Sequence, residues 1–377
     1  MRYPIQCYIE ITDQCNLKCS HCFASAQKTN KNFLNLNDIK NIYSQIEHLG
    51  IVYVNISGGE PLLNPEFFEI MELTSHYNYY VSLLTNGILW TETSINKLKS
   101  VINPKNVLIQ ISIDGQYELM NKQRNMTAFE YKKVLDNIQL FKDAGFSVGS
   151  LLCASIHTID NALETSKWAL EHLKIDAIQI VPELIAGRAK LTKDELKYFW
   201  CKWKTLIILL TDIKKYHLWN GLEDKIRVGF FTLYELAYPL DSINRHEDIK
   251  GVWNYEFDNK DMFVKLAHRN CFCEIGNSEI VIDSKGELYP CVASIKSNWN
   301  CGSLKKKKID DIWSNSDILN KFREKENNLG NVEPCKSCVY REICNGGCSL
   351  AKINMGYELN DPDPRCPFVL DFEGRLK

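Results

Sequence analysis

Fifteen cysteines stand in the 377 residues, and twelve of them fall into two groups. Cys15, Cys19 and Cys22 form a tight set near the start. Cys271, Cys273, Cys291, Cys301, Cys335, Cys338, Cys344, Cys348 and Cys366 all lie after residue 270. Cys7, Cys153 and Cys201 stand alone and read as ordinary buried thiols. Such numbers mean disulfides in a secreted chain and metal or redox chemistry in a cytosolic one. Grouping favours metal. Thiolates three and two residues apart in one loop converge on a cubane iron–sulfur cluster. Three ligands for a four-iron cluster leave one iron open to a substrate or cofactor. Zinc is the competing reading, with His21 as a nitrogen donor, although Cys-x3-Cys-x2-Cys is an unusual zinc spacing.

The elements that position these residues follow from periodicity. Apolar, β-branched runs predict strands at Cys7–Thr12, Val52–Ser57, Tyr80–Leu84, Val107–Ile113, Ser147–Cys153 and Ala177–Val181. Between them lie amphipathic stretches. Ile39, Ile42, Tyr43, Ile46 and Leu49 share one helical face that stops at Gly50, and a second helix is predicted from Phe129 to Ala144, stopping at Gly145. Six β-α repeats make an α/β fold with a parallel sheet, either a partial (β/α)6 TIM-like barrel or an open doubly wound sheet. In both, chemistry belongs at the C-terminal ends of the strands. Trp200, Trp203, Leu206, Leu210 and Ile213 predict a helical bridge. From about residue 270, cysteines, glycines and short turns replace long apolar periods, and a region with so little core needs metal to hold it. The expected organisation is a barrel over 1–189, a helical bridge over 190–264 and a cysteine-rich domain over 265–377.

Composition excludes several function classes. The formal net charge is −2, which offers no basic excess for phosphate contacts, so no nucleic-acid partner is expected. Lys305 to Lys308 read as a solvated surface run. Met1 to Gln6 has no apolar segment behind it, so no signal peptide is read. Leu206 to Leu210 is the longest apolar candidate and is flanked by Lys204, Asp212, Lys214 and Lys215, so no membrane span is expected. A cytoplasmic protein follows.

Cys15-x3-Cys19-x2-Cys22 with the aromatic Phe23 resembles the signature of the radical S-adenosylmethionine (SAM) superfamily. Ser57-Gly58-Gly59-Glu60-Pro61 after the second strand is similar to that family's GGEP motif. Thr85-Asn86-Gly87 follows the third strand, and Ser112-Ile113-Asp114-Gly115 closes the fourth. The resemblance implies that the open iron of a cluster on Cys15, Cys19 and Cys22 chelates SAM. Reductive cleavage then yields a 5′-deoxyadenosyl radical that abstracts hydrogen from the substrate. It also implies a SAM site built from Phe23, Gly58, Gly59, Glu60, Thr85, Asn86, Ser112 and Arg124. There the GGEP backbone and Glu60 meet the amino group, while Ser112 and Arg124 meet the carboxylate. A glycine pair suits close approach to the ligand. Gly187-Arg188-Ala189 resembles another recurrent turn, with Arg188 expected on the surface or in a structural role. Asp114 and Glu183 stand near motif ends, where structural hydrogen bonding is their expected role.

Cys273-x12-Gly286-x4-Cys291, then Cys335-x2-Cys338-x5-Cys344-x3-Cys348 and Cys366, resembles a SPASM domain. This implies two auxiliary iron–sulfur clusters. One would lie on Cys335, Cys338, Cys344 and Cys366. The other would lie on Cys291 and Cys348, with Cys271 and Cys273 as the remaining candidates and Cys301 expected as a non-ligand. A zinc ribbon on Cys335, Cys338, Cys344 and Cys348 is the alternative.

SPASM relatives mostly modify peptides or proteins, so maturation of a ribosomally made peptide by crosslinking or oxidation is the leading expectation. Only 14 residues precede Cys15, which leaves no room for an N-terminal leader-binding domain. A separate protein would deliver the leader, or the barrel and SPASM surfaces would bind it. A reductant such as flavodoxin or ferredoxin is implied. Sulfatase-maturating enzymes are the runner-up. In them an aspartate follows the cysteine that Val292 follows here. A haem- or small-molecule-modifying enzyme is the third reading. A pure electron carrier is the different class, and such carriers need no GGEP or SIDG motif at strand ends.

Overall fold

A computed structural model describes residues 4–255, 275–328 and 332–372. Six strands lie where the alternation predicts them: β1 (Gln6–Glu10), β2 (Tyr53–Ser57), β3 (Tyr80–Thr85), β4 (Val107–Ser112), β5 (Ser147–Ala154) and β6 (Ala177–Pro182). They pair in parallel in chain order. Parallel neighbours need crossovers, supplied by α1 (Leu36–His48), α2 (Phe67–Thr74), α3 (Glu92–Val101), α4 (Tyr117–Arg124), α5 (Ala128–Asp143) and α6 (Ala162–Trp168). Local chemistry starts and stops these helices. Asn35, Thr91 and Thr127 each form a capping box at α1, α3 and α5. Gly50 and Gly145 take φ of +73° and +93° just past α1 and α5, a conformation that glycine adopts without a Cβ penalty.

The sheet is longer at both ends than the six repeats imply. In the stretch expected as a helical bridge, α7 (Lys193–Lys215) is one continuous helix, and β7 (Ile226–Val228) then pairs with β6. In the cysteine-rich region β8 (Glu279–Ile282) pairs in parallel with β1, followed by antiparallel β9 (Glu287–Tyr289) and β10 (Gly302–Ser303). The ten strands run β10-β9-β8-β1-β2-β3-β4-β5-β6-β7, so β10 and β7 are edges and the barrel is open. Among the described residues no helix is long and apolar enough to cross a membrane.

The two faces of the sheet differ. Ile9, Ile56, Leu83, Ile109, Val148, Ile178 and Ile180 point outward and are fully buried with the helices. Each contributes about 1.5–3 kcal/mol by burial. On the inner face, Asn55, Ser82, Leu84, Leu108, Gln110, Ser112, Leu151 and Gln179 are only half-buried. Three of these eight are leucines, and Tyr8 and Glu10 on the same face are buried, so the interior is mixed in polarity and partly accessible.

Candidate active site

The loop that leaves β1 carries Cys15, Cys19 and Cys22 at the C-terminal end of the sheet. Asp13 folds the loop back by accepting from the Asn32 amide N–H (2.9 Å) and side chain (2.7 Å). The loop's carbonyls then hold the turn after β2. Gly59 N–H donates to Thr12 O at 2.7 Å and Glu60 N–H to Gln14 O at 2.8 Å. A Cβ on Gly58 would lie 2.5 Å from Thr12 O, and one on Gly59 would lie 2.2 Å from Gln14 O. The glycine pair is thus required by the cysteine loop itself, whereas the sequence reading assigned it to close approach of the ligand.

The opposite side of the loop is held by the turn after β6. Arg188 donates from Nε to Cys19 O (2.7 Å) and from Nη1 to Ala26 O (2.9 Å), and its backbone N–H reaches Cys22 O (3.1 Å). A Cβ on Gly187 would sit 2.3 Å from Phe23 O. Arg188, expected on the surface or in a structural role, is the clamp of the cysteine loop. The recurrent turn around it was the signal.

Cys15 and Cys19 are buried and Cys22 is half-buried. Burial pushes the Cys15 thiol up to about 12, and Glu60, Cys19 and Cys22 push it in the same direction. Cys19 is also raised by burial, reinforced by Cys22 and Asp114. The three thiols therefore feel one another, and a bound cation reverses this by taking them as thiolates. Two buried nitrogens in the loop, Asn16 Nδ2 and His21 Nδ1, have no hydrogen-bond partner among the described residues. A thiol-rich donor set beside the unpartnered Asn16 Nδ2–H fits a sulfur-containing cluster, whose sulfurs accept hydrogen bonds.

The other motif residues divide. Glu60 is fully buried and accepts from Thr85 Oγ1 (2.7 Å) and Asn86 N–H (2.8 Å), and burial raises it to about 7. It joins the ends of β2 and β3. Thr85 Oγ1 also accepts from Trp90 Nε1 at 3.0 Å. Asn86 Nδ2 donates to Asn16 Oδ1 at 2.8 Å. Arg124 is buried against Asp114, Nε to Oδ2 at 2.5 Å and Nη2 to Oδ1 at 3.1 Å, and Asp114 also accepts from Cys153 N–H. Despite its burial, Asp114 is held below the usual carboxylate range by that guanidinium. Its expected structural role matches these bonds. Ser112 stays half-buried on the inner wall. Phe23 meets Tyr8 edge-on at 6.5 Å and packs beside Cys291 and Cys348. Glu183, at the mouth after β6, is half-buried, and no donor among the described residues bonds its carboxylate. Burial raises it to about 7, with Asp114 and Glu195 adding.

The second cysteine group is arranged as two sets. Cys335, Cys338, Cys344 and Cys366 line one cavity, with Tyr340 and Phe368. Cys291 and Cys348 instead pack with Ala293, Leu350 and Phe23. Cys301 is bonded to Ser316 and raised to about 12 by burial, and it does not line that cavity. Cys271 and Cys273 lie outside the described residues. Asp363 ties the sets together: it pairs with Arg365 at 2.9 Å and accepts from Tyr234 Oη and Cys348 N–H, each at 2.8 Å. Lys296 Nζ donates to Ala24 O at 2.9 Å, so the cysteine-rich region also grips the first loop.

Comparison with known proteins agrees with this geometry. Residues 9–171 match the radical SAM superfamily model, and residues 271–339 match the SPASM model, an iron–sulfur cluster-binding domain. The chain is 27% identical to mycofactocin maturase MftC of Mycolicibacterium smegmatis, over 96% of this chain and 82% of that protein. It is 23% identical to the PqqA peptide cyclase of Bradyrhizobium diazoefficiens, over 96% and 86%. It is 24% identical to an AdoMet-dependent heme synthase of Methanosarcina barkeri, over 95% and 94%. The fold is similar to that of Streptococcus suis SuiB bound to precursor peptide SuiA, with a TM-score of 0.72 and 17% identity over 97% of this chain and 76% of that one. Both domains are of kinds that work with iron–sulfur clusters, and the first also works with SAM. The chain belongs to the radical SAM superfamily and is an enzyme of that family with a C-terminal SPASM domain.

Proposed function

We propose that this enzyme matures a peptide by hydrogen abstraction, with its SAM-cleaving cluster on Cys15, Cys19 and Cys22. The observation that carries the reading is the partly polar, partly accessible inner face of an open barrel beneath the three-thiol loop. An extended chain needs such an accessible, hydrogen-bonding wall. Two curated relatives are, by name, a maturase and a peptide cyclase. Cys15, Cys19 and Cys22 would hold the cluster, which would supply the electron for reductive cleavage of SAM and so for hydrogen abstraction from the substrate.

The chain's own residues then have defined tasks. Gly58, Gly59 and Arg188 hold the loop at the strand ends. Glu60, Thr85 and Asn86 brace its neighbour, Ser112 presents a hydroxyl on the inner wall, and Phe23 closes the side toward the SPASM domain. Arg124 acts mainly through Asp114. Cys335, Cys338, Cys344 and Cys366 hold one auxiliary cluster. Cys291 and Cys348, with Cys271 and Cys273, serve a second. The barrel extends over 1–189, the bridge over 190–264 and the SPASM domain over 265–377. A separate leader-delivering protein, a flavodoxin- or ferredoxin-type reductant and a cytoplasmic location complete the reading.

The test is anaerobic incubation of reconstituted protein with SAM and dithionite. Release of 5′-deoxyadenosine that stops in the Cys15→Ala variant is the expected result, and none from wild type defeats the proposal. A haem-directed reading has one observation behind it, the similarity to the heme synthase. Substrate-dependent 5′-deoxyadenosine release with an iron-free or partly decarboxylated haem precursor, and none with peptides, would favour it.

A further inference from the structure

Asn16 lies between the first two cysteines of the loop, and the orientation of its amide is fixed from outside. Asn86 Oδ1 accepts from Ile88 N–H at 3.0 Å, so its Nδ2 is the end that faces Asn16. That Nδ2 donates to Asn16 Oδ1 at 2.8 Å. Asn16 Nδ2 is therefore turned away from Asn86, and it is buried with no acceptor among the described residues. A buried donor without a partner is costly to keep, and Asn16 directly follows Cys15 in the chain. Two other N–H groups already face that sulfur, Leu17 N at 3.4 Å and Asn86 Nδ2 at 4.0 Å.

We propose that Asn16 and Asn86 form a positioning pair for the cluster at Cys15, with Asn16 Nδ2–H donating to a cluster sulfur and raising its reduction potential. The inference rests on the assignment of a cluster to Cys15, Cys19 and Cys22. The physical basis is charge. Reduction adds one electron and no proton, so the reduced state is the more negative and gains more from aimed N–H dipoles. The effect matters because SAM cleavage requires that electron.

The experiment is an anaerobic, EPR-monitored redox titration of the reconstituted full-length protein, without SAM. The signal of the first cluster is identified as the one that changes when SAM is added. Asn16→Leu removes the amide without adding charge. Asn16→Asp keeps the acceptor for Asn86 and replaces the orphan donor with a carboxylate. Both are expected to retain iron and to shift the reduction equilibrium at least tenfold toward the oxidised state, about 59 mV for one electron, with Asn16→Asp shifting further. Wild-type potentials in both variants at full iron content overturn the inference. So does weakened SAM binding at an unchanged potential, which would assign the donor to SAM. Wild-type protein that takes up no cluster at this loop would instead defeat the functional proposal beneath it.

Discussion

The two cysteine regions of this molecule are held in opposite ways. The first loop is fastened by hydrogen bonds to the turns and the helix around it: Thr12 and Gln14 to the β2 turn, Cys19, Cys22 and Ala26 to Arg188, and Ser20 to Gln123 in α4. It sits on a sheet whose outer face is fully buried. The region from Cys335 to Cys366 has only short elements, at Cys335–Ser337, Arg341–Cys344 and Ser349–Asn354. Asn345, Gly346 and Gly347 run through three successive positive φ angles of 52°, 70° and 76°. Thiols line the space where a core would be. The first region thus builds a site into which a cluster fits, whereas in the proposed assignment clusters would supply much of the cohesion of the second. A catalytic cluster that must admit SAM gains from a protein-made socket. An auxiliary cluster can double as the staple of its domain.

The contrast can be broken at its weakest joint first. Asp363→Ala leaves the Arg365 guanidinium buried without its carboxylate and removes the acceptors for Tyr234 and Cys348 N–H. Breaking a buried pair in this way costs about 3–5 kcal/mol. Urea denaturation of the reconstituted protein should show a loss of this size in the SPASM region while SAM still binds the barrel. A loss confined to below about 1 kcal/mol would mean that Asp363 is not the tie between the two thiol sets.

Gly59→Ala sharpens the other side of the comparison. Its Cβ would lie 2.2 Å from Gln14 O and 2.9 Å from Cys15 Cβ, so the cysteine loop must shift. A displacement of about 1 Å at a reacting centre costs on the order of 100-fold in rate. We expect 5′-deoxyadenosine formation to fall by about that factor, with the thermal midpoint nearly unchanged. Wild-type rates would show that the loop yields without consequence.

Much of this was legible in the sequence, for definable reasons. The strands from Cys7 to Val181 appeared within a residue or two of their predicted bounds, because each is a short, largely apolar run and most are closed by a motif turn. The α1 and α5 stops were written in Gly50 and Gly145. β7 was hidden because three residues are too few to show a period. β8 was hidden because Glu279–Ile282 stands among cysteines and glycines, and its parallel partner β1 is far away in sequence. The motif residues were visible, but their local tasks were not. Gly58 and Gly59 make room for backbone, Arg124 is bound to Asp114, and Arg188 clamps the loop. Each of these depends on contacts between strand ends that only the folded sheet brings together. Cys335, Cys338, Cys344 and Cys366 line one cavity, a proximity that their spacing along the chain does not itself show.

The most direct test of the account is an iron and sulfide count on anaerobically reconstituted protein, for wild type and for a Cys15/Cys19/Cys22→Ala triple variant. The account predicts about twelve irons falling to about eight, one four-iron cluster lost from the barrel and two retained in the SPASM region. About four irons in wild type, falling to near zero in the triple variant, would contradict it and would return the C-terminal cysteines to zinc or to free thiols.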